Sequence, residues 1–211
     1  MSFSLLKPAK SGFFPVFIRM TGVIEGIYEL YLRSIDEHDP KVLSMVLQSV
    51  KELRAQSNTA VHQLFLELGR NFITPLDRED MYTLGSALDS IADYLETLAR
   101  QRLNYGLYEL PADSTRITGM LRQAIDKLVL IVKGLGNKGN LDRFAEPNKQ
   151  MKRVLDSCLG NADAAKRDVL NGTEDILYCI KMSDHYQTVI TLLGKVRDAG
   201  NTIDNIIIKY S

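Results

Sequence analysis

After Pro40 the residues Leu43, Val46, Val50, Leu53, Ser57, Ala60, Leu64 and Leu68 step by threes and fours, an apolar and small-residue stripe lasting about seven helical turns. Strand periodicity does not produce that spacing, and proline suits the first turn of a helix. A second stripe, Met81, Leu84, Leu88, Ile91, Leu95 and Leu98, keeps the same heptad-like step and runs out near Tyr105-Gly106, where glycine can supply a left-handed cap. Stripes this narrow suit long antiparallel helices packed at small crossing angles.

The rest of the chain repeats the period. A helix over residues 16–35 carries Phe17, Met20, Ile24, Ile27, Tyr28 and Tyr31 and closes a first set of three. Beyond Pro111 one helix carries Ile117, Met120, Ala124, Leu128, Ile131 and Leu135, and the next carries Met151, Val154, Cys158, Ala162 and Val169. The last stripe is Val189, Leu192, Val196, Ile203, Ile207 and Tyr210. No segment alternates like a half-buried strand, so the class is all-α. The expected architecture is two tandem three-helix bundles, 1–110 and 111–211, packed as one unit and divided near Glu109-Leu110-Pro111-Ala112. Pairing Leu84-Gly85 with Leu193-Gly194 also pairs Asp89 with Asp198, which fits duplication of one three-helix unit.

Charge and composition remove several functions. The 26 Lys and Arg balance 26 Asp and Glu, so no bulk positive field holds a polyanion, and nucleic acid is not a main partner. Cys158 and Cys179 are too few for a disulfide framework and have no CxxC spacing, which fits a reducing compartment. No run approaches the roughly 18 to 20 apolar residues of a membrane-spanning helix. The short apolar run at 13–18 is interrupted by Pro15 and followed by no cleavage site, so the chain reads as cytoplasmic. Gly134-Leu135-Gly136-Asn137-Lys138-Gly139 spells GxGxxG, but nothing before it reads as a strand, and it is expected to be a turn between helices.

A bundle of long helices could be a di-iron enzyme, which would need Glu-x-x-His pairs projecting inward. Three residues before His38, His62 and His185 stand Ile35, Thr59 and Met182, so that ligand set is missing. No HExxH, Walker loop or Gly-x-Ser-x-Gly is present either, and no catalytic residue is assigned.

Two clusters remain. In Thr74-Pro75-Leu76-Asp77-Arg78-Glu79-Asp80 the spacing predicts a helix start, with Thr74 as N-cap, Pro75 in the first helical position and Asp77 reaching back toward the cap. Asp77, Glu79 and Asp80 place negative charge at the positive end of the helix dipole. Capping accounts for most of these residues and leaves over Arg78 and part of the acidic density. Further along, Asp89, Asp93 and Glu96 recur at i, i+4 and i+7, and carboxylates so spaced can share a hard cation when a neighbouring helix adds oxygen ligands.

The string from Phe72 to Asp80, Leu88-Asp89-x-x-x-Asp93, His62 ahead of them and Ile206-Ile207-Ile208-Lys209 together resemble the PhoU-like phosphate transport regulators, in particular the Pit accessory protein branch. The resemblance implies tandem three-helix bundles and a non-catalytic cytoplasmic regulator of phosphate uptake. Its partner would be a Pit-type membrane phosphate transporter, met peripherally at the inner face of the membrane, and the resemblance leaves room for a homodimer. The surface assigned to that partner is Thr74, Pro75, Asp77, Arg78, Glu79 and Asp80.

Metal-binding members of the family carry Glu/Asp-x-x-x-Asp pairs on adjacent helices. Here Asp89 and Asp93 keep one pair, while the partner positions hold Arg54 and Asn58. In the second half Asp163 and Arg167 fit an Asp-x-x-x-Arg pattern, but Leu159 and Gly194 stand where acids are expected. The expectation is therefore no cofactor, with at most a weakly held metal ion at Asp89 and Asp93. The rival readings are a carboxylate-bundle metal protein or metalloenzyme, and a helical scaffold unrelated to phosphate.

Overall fold

The computed structural model describes residues 12–172 and 175–211; positions 1–11 of the anticipated first unit lie outside them. Six α-helices run in the order α1 (Phe13–Arg33), α2 (Pro40–Arg70), α3 (Arg78–Tyr105), α4 (Ala112–Gly134), α5 (Ala145–Asn171) and α6 (Ile176–Tyr210). Two short 3₁₀ turns, Lys138–Asn140 and Asp142–Phe144, lie between α4 and α5, and no strand occurs among the described residues.

Local chemistry sets the helix ends. The Asp39 carboxylate accepts from Lys41 N at 2.8 Å, and Pro40 follows it in the first helical position, where an N–H would have no partner. At the far end of α3, Gly106 takes φ +66°, the left-handed conformation that a side chain disfavours. Helix α1 starts earlier than the stripe implies. Pro15 lies in its first turn and breaks no hydrogen bond there, so Phe13 and Val16 join the buried face. Helix α6 likewise extends ahead of Val189, to Ile176. The GxGxxG string sits between two helices: Gly134 ends α4 with the Phe144 ring against its Cα, leaving no room for a Cβ.

Helices α1, α2 and α3 pack on one another, as do α4, α5 and α6, and the two sets meet where α1 lies on α4 and α3 on α6. Helices α3 and α6 are antiparallel. Lys209 late in α6 meets Asp80 early in α3, while Asp184 early in α6 meets Gln101 late in α3. One continuous apolar cluster runs through all six helices, including the fully buried Ile24, Leu64, Leu88, Leu128, Leu155 and Val196. Gly85 lets α3 approach Leu64 of α2 more closely than any side chain would permit.

One buried cation ties the loops at one end. Arg102, only 1% exposed, donates to the carbonyls of Ile35 at 3.3 Å, Glu37 at 3.0 Å, Leu107 at 3.3 Å and Tyr108 at 3.1 Å. It also donates to the Ser34 carbonyl, so a single guanidinium joins the α1–α2 turn to the α3–α4 turn.

Candidate functional site

The helix start expected at Thr74 lies three residues further on. Asp77 is the N-cap of α3, and its carboxylate accepts from Glu79 N at 3.0 Å and Asp80 N at 3.2 Å. Thr74 instead donates its hydroxyl to the Leu76 carbonyl at 2.7 Å, and Pro75 sits in the turn ahead of the helix rather than within it. The cause is Leu76. Its side chain is 1% exposed, so the chain stays non-helical long enough to drive it into the core. A carboxylate at position 77 then meets the N–H groups as a stronger acceptor than a hydroxyl.

The residue that capping left over has a different task. Arg78 donates to the carbonyls of Leu68 and Asn71, so it closes the end of the preceding helix while standing in the first turn of its own. Asp80 is 6% exposed and accepts from Lys209 Nζ at 2.7 Å; the same ammonium lies 3.7 Å from Asp77. The N–H of Asp80, and then Lys209, hold the Asp77 carboxyl below its ordinary range, while Asp80 raises the Lys209 ammonium. Glu79 is exposed and has no ion-pair partner among the described residues.

Around this acidic helix start the surface is apolar. Phe72 and Ile73, at the tip of the α2–α3 turn, are 101% and 90% exposed. Beside them a groove of about 530 Å³ is lined by Phe65, Leu68, Gly69, Asp77, Arg78, Glu79 and Tyr82. The Phe65 and Tyr82 rings stack there with centroids 4.5 Å apart. Five of the six residues assigned to a partner surface, Thr74, Pro75, Asp77, Arg78 and Glu79, reach the surface at this end of the molecule beside the exposed apolar tip, whereas Asp80 is buried against Lys209 and cannot form part of it.

The second cluster lies further along the α2–α3 seam, where Asp89 and Asp93 face Arg54 and Asn58. Arg54 grips Asp89 with two prongs, Nη1 to Oδ1 at 2.7 Å and Nη2 to Oδ2 at 3.2 Å, and its Nε lies 3.6 Å from Asp93. Ser57 donates to the same Asp89 oxygen at 3.2 Å, and Arg54 also donates to the Asn58 amide oxygen. Glu96, the third acid of the stripe, pairs with Arg100 at 3.5 Å instead. In the second half, Asp198 pairs with Lys195 of its own helix at 3.6 Å, and the α5–α6 seam is closed by Lys152 on Asp204 and by Arg197 on Asp156. Among the described residues no group of three or more His, Cys, Asp and Glu side chains is placed to hold a metal ion. Between the two acids lies the Arg54 guanidinium, which holds Asp89 by two hydrogen bonds and stands 3.6 Å from the half-exposed Asp93.

The histidines do not join either cluster. His62 is exposed, and His38 binds the Tyr108 carbonyl at 3.0 Å through Nδ1. His185 is wholly buried, with Nε2 3.4 Å from the Tyr31 hydroxyl; burial and Arg102 push its pKa down to about 4. Sequence reasoning missed the roles of Arg102 and His185. A basic residue in a last helical turn and a histidine beside a tyrosine give no signal of burial.

No protein-family model matches the chain. It is 21% identical to the UPF0111 protein YkaA of Bacillus subtilis (strain 168) over 162 residues, which is 76% of this chain and 78% of that protein. A PhoU-like protein from Shewanella oneidensis MR-1 superposes with a TM-score of 0.77 at 12% identity, covering 93% of this chain and 99% of that one. A second structure from the same organism, described as a PhoU-like phosphate regulatory protein, gives 0.74 at 12% identity with the same coverage. Six helices in this order and packing, without a strand among the described residues, thus form the PhoU-like all-α fold.

Proposed function

We propose that the chain is a non-catalytic regulator of inorganic phosphate transport, a Pit accessory protein that docks the α2–α3 end of its bundle on the cytoplasmic side of a Pit-type permease. The observation that carries this reading is the wholly exposed Phe72-Ile73 tip beside the carboxylates of Asp77 and Glu79. Exposed apolar side chains on a well-packed scaffold suit a partner that covers them. Cytoplasmic loops of membrane transporters carry an excess of Lys and Arg, which complements Glu79, the exposed carboxylate here that has no ion-pair partner among the described residues. The regulatory description of a Shewanella structure with the same fold supports the link to phosphate. No helix among the described residues is long and apolar enough to cross a membrane.

The experiment is phosphate uptake in a strain deleted for the gene, at limiting and at excess phosphate. Deletion changes uptake, and the wild-type chain restores it. A Phe72→Asp/Ile73→Asp variant, shown by circular dichroism to be folded, fails to restore it. Uptake that is indifferent to deletion overturns the transport role, and full restoration by the variant overturns the docking surface.

A further inference from the structure

We infer that Arg54 is the resident cation of the α2–α3 carboxylate seam, so that this seam is closed by a protein side chain and works without a metal ion. The inference stands apart from any role in phosphate transport. Both oxygens of Asp89 are engaged: Oδ1 accepts from Arg54 Nη1 at 2.7 Å and Ser57 Oγ at 3.2 Å, and Oδ2 accepts from Arg54 Nη2 at 3.2 Å. A metal ion at Asp89 would have to displace these donors and sit against a guanidinium.

That guanidinium has little freedom to leave. The Arg54 side chain is 11% exposed, its Nε lies 3.6 Å from Asp93, and Nη1, the nitrogen that meets Asp89 Oδ1, also donates to Asn58 one turn along α2. A planar fork gripping a carboxylate has fixed geometry and a permanent charge, which makes arginine a durable substitute for an ion. A hard cation would ask for about six oxygen ligands, and the seam offers one gripped and one half-exposed carboxylate. The second half closes its seam in the same manner. Lys152 on α5 binds Asp204 on α6, Arg197 on α6 binds Asp156 on α5 at 2.5 Å, and Asn148 donates to Asp204 at 2.6 Å. In both halves the contact between the outer helix and the α3 or α6 helix is neutralised by basic side chains.

The test compares the full-length wild type with Arg54→Glu/Asn58→Asp, which replaces the cation and its neighbour by two acids, and with the neutral Arg54→Gln. Each is melted in Mn²⁺ and in EDTA, and retained metal is counted by elemental analysis after dialysis. The wild type melts at the same temperature in both and retains no stoichiometric metal. The double variant is stabilised by Mn²⁺ by several degrees, as expected for a ligand that binds only the folded state, and loses that gain in EDTA. If it folds only when Mn²⁺ is present, that also supports the inference. Chelator-sensitive melting or stoichiometric metal in the wild type overturns it, as does a folded double variant that ignores Mn²⁺. If the double variant folds in neither condition, Arg54→Gln decides: a lower melting temperature than the wild type in EDTA supports the inference, because Asp89 has lost its cation, and a melt unchanged from the wild type overturns it.

Discussion

Lys209, in the last turn of α6, donates to Asp80, in the first turn of α3, across 2.7 Å, and so fastens the ends of two antiparallel helices from opposite halves of the chain. The lysine is half exposed and the carboxylate is buried. The asymmetry sets the expected result. Lys209→Met leaves a buried carboxylate without its donor and lowers stability in urea melts, by less than loss of a fully buried pair would because the lysine is half exposed. Asp80→Asn in the Lys209→Met background recovers part of that loss. A double-mutant cycle with no coupling would remove the pair from the account of how the halves are joined.

The cap of α3 gives a second expectation. Asp77→Ala removes the acceptor of two backbone N–H groups and lowers stability. Thr74→Ala removes only a hydroxyl bonded within the turn and costs less. Equal losses in denaturant melts would put the helix start back at Thr74.

That contrast shows what was legible in the sequence. The stripes from Leu43 to Leu68 and from Met81 to Leu98 announce α2 and α3, because each helix buries one continuous face. That Arg54 and Asn58 stand opposite Asp89 and Asp93 came from the family resemblance, because spacing alone shows only that residues four apart share a helix face and not which face of the neighbouring helix they meet. Thr74 and Asp77 are both good cap residues, and the choice between them rests on the burial of Leu76, a tertiary fact. The early turns of α6 expose Ile176, Leu177 and Ile180, so no core stripe marks them. Arg102 was invisible for another reason. Its partners at residues 34–37 are distant in sequence and are backbone carbonyls, which have no residue signature.

Arg102 should be among the most sensitive positions in the chain. Arg102→Met keeps much of the buried stem but leaves several carbonyls at two loops without a donor, and a loss of about 3 kcal/mol or more is expected. Arg102→Lys should recover little, because one ammonium cannot reach the spread of acceptors that the guanidinium fork serves. Urea melts of the two variants check this; near-wild-type stability in the lysine variant would show that charge, not geometry, is what the site requires.

His185 predicts a pH dependence. Its ordinary pKa of 6.5 falls to about 4 in the folded chain, because burial and the nearby Arg102 disfavour the imidazolium. Between those values the unfolded chain binds the proton and the folded chain does not. The stabilisation is thus present in full above about pH 6.5 and is lost as pH falls toward about 4, up to about 3 kcal/mol in total. His185→Gln removes this titration. Subtracting its urea-melt stabilities from those of the wild type between about pH 7 and pH 4.5 isolates the histidine, and a flat difference would mean that His185 is not buried in its neutral form.

The α2–α3 turn offers the sharpest separation of fold from contact. Leu76 is 1% exposed, whereas Phe72 and Ile73, four and three positions before it, are 101% and 90% exposed. Leu76→Ala removes buried methyl groups and opens a cavity, with an expected cost of about 2 to 5 kcal/mol. Phe72→Ser and Ile73→Ser bury nothing less than the wild type does, so the melt should move by no more than about 0.5 kcal/mol. Circular dichroism melts of the three variants make the comparison. A large loss on replacing Phe72 or Ile73 would mean that the tip packs on the bundle, leaving no exposed apolar surface there for a partner to cover.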